Sequence, residues 1–197
     1  MTSTLRAEIA AAAARLIVEE GLDYGSAKRR AAQDLQAPVR RLDLPDNDAV
    51  EDEVRSYIDL FHADSQPTEL AALRAIAAVW MERLAAFRPH LTGAVWRGTA
   101  TRRNDIHLDM YCDDSKMAEL ALIDARVDYE VSTTNGPRER SLDVLNVFVK
   151  SSELGVIVRV AMTVLDYDDL RGALRSDGRG RKVRGDLAAL RAMVATA

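Results

Sequence analysis

Between Leu91 and Asp109 the chain reads LTGAVWRGTATRRNDIHLD, and the residue types there suit phosphate and metal chemistry. Gly93 and Gly98 let backbone N–H groups come close to a ligand, because glycine accepts left-handed dihedrals and has no side chain in the way. Backbone N–H groups in such turns cradle phosphate oxygens. Arg97, Arg102 and Arg103 supply neutralising charge nearby. The next residues, Asp105-Ile106-His107-Leu108-Asp109-Met110-Tyr111, alternate polar and apolar with a period of two, the pattern of a half-buried strand. Asp105, His107 and Asp109 then share one face, with Ile106, Leu108 and Met110 on the other. Alternate residues of a strand lie about 6.6 Å apart, so these side chains can converge on one cation. Carboxylates that hold Mg²⁺ against a triphosphate are the equipment of nucleotidyl transfer.

These residues resemble the signature of the nucleotidyltransferase fold shared by DNA polymerase beta, poly(A) polymerases and minimal bacterial nucleotidyltransferases. That signature is a Gly-Ser turn, an Arg-Gly step, then Asp-x-Asp on the following strand. Gly93-Ala94 stands at the turn and Arg97-Gly98-Thr99 at the Arg-Gly step. Asn104-Asp105-Ile106-His107-Leu108 stands where the family has Ser-Asp-Ile-Asp-Leu, and no gap is needed. The resemblance covers about twenty residues closely and 88–163 as an order of elements. It implies an α+β fold, with a nucleotidyltransferase-like mixed β-sheet and flanking helices behind a helical N-terminal region. It also implies that Gly93, Ala94, Arg97, Gly98 and Thr99 bind a nucleoside triphosphate. Asp105 and His107 would hold Mg or Mn, and Asp105, His107 and Asp109 would form the catalytic set. The acceptor would be an RNA or a protein.

The departures from the signature are chemical ones. Ala94 replaces the turn serine, which removes a hydroxyl contact to phosphate. His107 replaces the second carboxylate, and imidazole suits Zn, Mn or Fe better than Mg. The family's third carboxylate sits on a later strand. The best candidate strand is 155–162, where Arg159 occupies that position. Asp128 and Asp143 are the possible substitutes.

The elements that must position these residues follow from periodicity. Residues 4–20 are Ala-rich, with Leu5, Ile9, Leu16 and Ile17 at helical spacing, and Gly21 stops the run. Further helices are expected at 26–35, at 47–62 with Asn47 as cap and at 68–87 before Pro89; Pro38 and Pro45 mark a loop over 36–48. Residues 91–96 read as strand or short helix, the resembled fold favouring a turn into a helix. The pattern then gives a strand at 105–111, a helix at 115–124 capped by Ser115, and strands at 126–132, 142–149 and 155–163. A turn is expected at 133–140, a helical turn at 166–174 and a last helix at 186–195. This divides the chain into a helical region, 1–88, and an α/β domain, 89–197.

Between the last two helical segments, Arg175, Arg179, Arg181, Lys182 and Arg184 alternate with glycines. Such a segment can close over a triphosphate, hold an RNA backbone or remain a solvated tail. It has no interleaved aromatics for reading RNA bases.

Composition bounds the rest. With 197 residues, 48% apolar and 29% charged, the chain is an ordinary soluble globular protein. A net charge of −4 does not mark a nucleic-acid binder. The single cysteine, Cys112, rules out a disulfide framework and reads as a small apolar residue. No apolar run approaches the roughly 18 residues of a membrane span. The stretch 10–14 is flanked by Glu8, Glu19 and Glu20, unlike a signal peptide, so a cytoplasmic location is expected. His62 and His90 lack ligand-like spacing. Three readings remain open: a metal-dependent nucleotidyltransferase, a degenerate member that binds a nucleotide or phosphate without turnover, and a protein-interaction module. The bland alternative for Asp105 and Asp109 is the wet face of an amphipathic strand.

Overall fold

The apolar spacing at the N-terminus produces a long helix, α1 (Ser3–Glu20), which packs on α2 (Tyr24–Asp34) and α3 (Asn47–Phe61). This computed structural model describes residues 3–36, 44–136 and 140–196. Parts of the loop expected at 36–48 and the turn expected at 133–140 lie outside those residues. The three helices bury Ile9, Ala13, Ile17, Ala27, Ala31, Val50, Val54 and Ile58 together. Small alanines let the helix axes approach, and the branched residues fill the space between. Glu19 is the polar hub here, accepting from the Tyr57 hydroxyl at 3.1 Å and meeting His62 Nε2 at 3.0 Å. The His62 hydrogen bond holds the Glu19 carboxyl below its usual range.

Aspartates set the helix starts. Asp46 accepts from the Ala49 backbone N–H at 2.7 Å, so it caps α3 in place of Asn47, which accepts instead from Lys28 Nζ. Asp114 likewise caps α6 (Ser115–Asp124) in place of Ser115. A side-chain oxygen one residue before the first helical turn satisfies N–H groups that have no partner within the helix.

The packing divides the chain into two units, residues 1–67 with 99–103, and residues 68–98 with 104–197. The sequence pattern drew the line at residue 88. The second unit holds α4 (Gln66–Arg83) from Thr68 onward and a six-stranded sheet. The strands are β1 (His90–Thr92), β2 (Ile106–Cys112), β3 (Glu130–Asn135), β4 (Ser141–Ser151), β5 (Val156–Asp166) and β6 (Arg184–Gly185). Their order is β3-β4-β5-β2-β1-β6, and β2 pairs parallel with β5 while the other neighbours are antiparallel. The fold is therefore α+β with a mixed sheet and flanking helices, as expected. Among the described residues no helix is long and apolar enough to cross a membrane.

One face of the sheet is the core. Ile106, Leu108, Met110, Val160, Met162, Val164, Leu145 and Val147 alternate inward and are buried. Residues 126–129, expected as strand, are not part of it. Arg126 takes a left-handed conformation (φ 54°), and the Val127 N–H bonds back to the Leu122 carbonyl, so the chain first closes α6. Pairing starts only at Glu130, opposite Asn146.

The basic segment after α7 (Leu170–Ala173) folds back onto the sheet. Ser176 bridges to Lys182, and Asp177 accepts from the N–H groups of Arg179 and Arg181. Arg184 and Gly185 then add β6 beside β1, and Asp186 caps α8 (Leu187–Ala195). The Trp96 indole donates to the Lys182 carbonyl at 2.7 Å and its ring lies flush on Gly185. A Cβ at 185 would stand 2.1 Å from Trp96 Cη2, and neither backbone nor indole can give that much. Gly185→Ala should destabilise the protein by about 1–3 kcal/mol through overpacking. A urea melt followed by tryptophan fluorescence checks this.

Candidate functional site

β1 ends in the turn at Gly93, and α5 (Gly93–Arg97) follows at once, the strand-to-helix order that the resemblance implies. Gly93 has φ +71°, and a Cβ there would touch His107 Cδ2 at 3.4 Å. Glycine thus lets the turn settle on the imidazole. α5 is held from α4, where Arg74 Nε donates to the Val95 carbonyl at 3.2 Å. Gly98, also left-handed, ends the helix. Ala94, Arg97 and Gly98 are half-buried around this short element. Thr99 packs with the first unit, where it is buried and its hydroxyl has no hydrogen-bond partner among the described residues. Arg102 and Arg103 belong to that unit as well, and Arg103 lies near Glu19.

The register places the rest of the site. Thr92 stands opposite His107 and His90 opposite Asp109, while on the other side Ala161 pairs with His107 and Thr163 with Asp109. Arg159, one residue before the first pair of β5 with β2, therefore stands beside Asp105, one residue before β2. Its Nε donates to Asp105 Oδ2 at 2.9 Å, and one terminal nitrogen makes an ion pair with the same oxygen. The other terminal nitrogen points to Asn146 Oδ1 at 3.5 Å. Asn146 is buried and fixed in turn by Ser132 Oγ at 2.9 Å and the Val144 carbonyl at 3.1 Å. A row of polar groups thus crosses the face from β2 to β3.

At the other end of the same face, Asp109 forms an ion pair with Arg184 of β6. The Arg184 guanidinium also donates to the Tyr111 hydroxyl at 2.9 Å. His90 stacks edge-on against Tyr111, 5.4 Å between ring centres, with its Nδ1 2.9 Å from the Arg88 carbonyl. A carbonyl can only accept, so Nδ1 carries the proton. Burial pushes the Asp109 carboxyl up, against the pull of Arg184, His107 and His90. Tyr111, Leu142 and Leu165 close this end as a small apolar cluster with Leu170 and Ala173.

His107 lies between the two ion pairs. It is crowded by protein, which pushes its pKa down, and yet its ring remains open to solvent. Asp105 and Asp109 pull the pKa up, and Arg159 pushes it down.

The expected trio is thus on one face, but its members have different partners. Asp105 and Asp109 each face a guanidinium, and His107 is kept neutral between them. These residues do not fit Mg or Mn. A hard cation needs several free oxygen donors, and an oxygen of each carboxylate is already taken by arginine. The neighbour of Asp105 on β5 is itself a cation. Among the described residues no group of three or more His, Cys, Asp or Glu side chains is placed to hold a metal ion. Asp143 is on β4 at a position facing Thr133, with its side chain on the opposite face of the sheet, and Asp128 precedes β3. Neither stands beside Asp105 in the register.

Arg184, Asn146, Tyr111 and His90 were not legible as site residues. Arg184 lies 75 positions from Asp109, inside a basic segment whose role the sequence left open between a phosphate cover and a solvated tail, and His90 lacks ligand spacing. Only the tertiary pairing brings them together.

No family model matches this chain, and no curated protein matches it. Two solved structures of the Cid1 poly(U) polymerase are similar to it. The one with MgGTP bound is 14% identical, covering 51% of this chain and 32% of that chain, with a TM-score of 0.34. The one with the UTP analog UMPNPP is 15% identical, covering 51% and 31%, with a TM-score of 0.32. The chain spans about a third of the length of those polymerase structures.

The His107 ring should titrate below the usual histidine value of about 6.5. Arg159→Gln should raise its midpoint and Asp105→Asn should lower it further. The unfolded chain takes up that proton first, so the contribution of His107 to stability falls as pH drops through the ordinary histidine range. NMR titration of the ring protons in the three proteins checks all of this.

Proposed function

We propose that this chain is a nucleotidyltransferase-like protein that binds a nucleotide or related phosphate-bearing ligand on this sheet face without metal-driven transfer. The observation that carries the reading is the Asp105–Arg159 ion pair. It occurs where the resemblance calls for carboxylates around a cation. Asp105 with Arg159 and Asp109 with Arg184 cancel, and His107 is neutral, so this part of the face has little net attraction for a divalent ion. It also does not repel a phosphate. Gly93, at the end of β1 and against His107, with Ala94, Arg97 and Gly98 in and after α5, gives the ligand a loop of backbone. Thr99 adjoins that loop in the chain.

The second reading is transfer of a nucleotidyl group from a nucleoside triphosphate to an RNA or protein acceptor, supported by Mg or Mn. One observation favours it. His107 is held neutral next to Asp105 and Asp109, which is the protonation state of a metal ligand. Asp105, His107 and Asp109 would be its catalytic set.

Calorimetric titration with ATP, GTP, CTP and UTP, with EDTA or with Mn²⁺, separates the two when pyrophosphate release is followed in parallel. Binding that persists in EDTA with no pyrophosphate is the expected result. Pyrophosphate that requires Mn²⁺ and disappears in Asp105→Ala would establish transfer instead. No binding under any condition would sink both and direct attention to a protein partner.

A further inference from the structure

Phe148 lies on β4 directly opposite Arg159, and the two side chains are on the same face as Asp105, His107 and Asn146. Cross-strand neighbours have their Cβ atoms about 5 Å apart. The Phe148 side chain is 50% exposed; on this face of β4 the preceding Asn146, Val144 and Leu142 are buried, and the following Lys150, opposite Ile157, is exposed. Among the described residues no ring or cation contact covers it. Ile157, on the same face of β5 one pair further out, is 68% exposed. An aromatic ring and a branched aliphatic side chain thus lie bare beside a guanidinium that is held in place.

The guanidinium is only partly committed. Arg159 has five N–H donors. Asp105 takes one from Nε and one from a terminal nitrogen, and Asn146 takes a long one from the other terminal nitrogen. The side chain is still 40% exposed. Its plane is fixed from both sides, so its remaining donors face outward in a set geometry at little entropic cost.

We infer that Arg159 and Phe148 form a metal-free recognition corner for a nucleoside monophosphate. The free edge of Arg159 takes the phosphate and the exposed ring of Phe148 stacks the base. The inference rests on the phosphate-ligand reading above and names the ligand class and the residues that choose it. A guanidinium whose charge Asp105 offsets but whose N–H donors are not all used suits a single phosphate group. A triphosphate needs more positive charge than this corner holds. Stacking of a base on an exposed aromatic ring tolerates any base, so the corner selects for a base with a phosphate more than for its identity.

The test is an NMR titration of the full chain with AMP, UMP, uridine and inorganic phosphate, following the Phe148 and Arg159 amides, once in EDTA and once in Mn²⁺. Melting curves confirm that each variant is folded. AMP and UMP should bind equally in EDTA and Mn²⁺. Arg159→Gln should weaken both nucleotides about tenfold or more and abolish the phosphate response. Phe148→Leu keeps an apolar side chain but no ring; it should weaken the nucleotides roughly tenfold, leave inorganic phosphate unchanged, and be rescued by Phe148→Tyr. Should the glutamine variant fail to fold, Arg159→Lys carries the same test, because it keeps the charge and loses the fork. Metal-free nucleotide binding that ignores both substitutions overturns this corner and leaves the phosphate-ligand reading standing at the Gly93 turn. Binding that needs Mn²⁺ and depends on Asp105 overturns the corner in favour of the transferase reading. No response to any of the four probes overturns the corner and the phosphate-ligand reading together.

Discussion

The site depends on the parallel pairing of β2 with β5. That register, with Ile106 opposite Val160, puts the residues just before each pair, Asp105 and Arg159, side by side. A one-residue slip would turn Arg159 to the core face and a core valine outward. The slip is prevented by burial. Ile106, Leu108 and Met110 alternate with the polar trio and pack with Val160, Met162 and Val164 on the far side of the sheet. The hydrophobic face therefore sets the electrostatics of the polar face.

Given that register, the polar face is close to electroneutral. Asp105 and Asp109 each have an arginine, one from the neighbouring strand and one from the far edge of the sheet. The second pair is the more enclosed, with the Asp109 side chain only 14% exposed. Removing one member of such a pair strands a charge in a poor solvent, which is far costlier than losing a surface ion pair. β6 is only two residues long, yet Arg184 fastens it through Asp109 and Tyr111, and Gly185 fits under Trp96. The basic segment is thereby fixed as part of the wall of the site. Charge that would otherwise serve a solvated tail is spent inside the protein.

Much of the architecture was legible along the chain. The period-two run at 105–111 gave β2 within one residue at each end, and the period of 3.6 gave all the long helices. Residues 91–96 read as strand or short helix, and only the family resemblance favoured the turn into α5. The misplaced boundaries have local causes. Asn47 and Ser115 are good capping residues, but an aspartate precedes each and reaches the N–H groups first. Residues 126–129 have strand-like composition, but the left-handed Arg126 closes a helix before any strand can begin.

By itself, the sequence determined the elements, the face on which Asp105, His107 and Asp109 lie, and the presence of Arg159 on the strand expected to bear a third carboxylate. All of these depend on side-chain size, polarity and spacing over a few residues, and such information is local. The tertiary structure alone decided that Arg159 grips Asp105, that Arg184 crosses 75 positions to reach Asp109, and that Phe148 stays bare beside them. Those facts depend on which strands become neighbours and in what register. Strand order is fixed by the burial of the whole apolar face at once, and no single segment of the chain carries it.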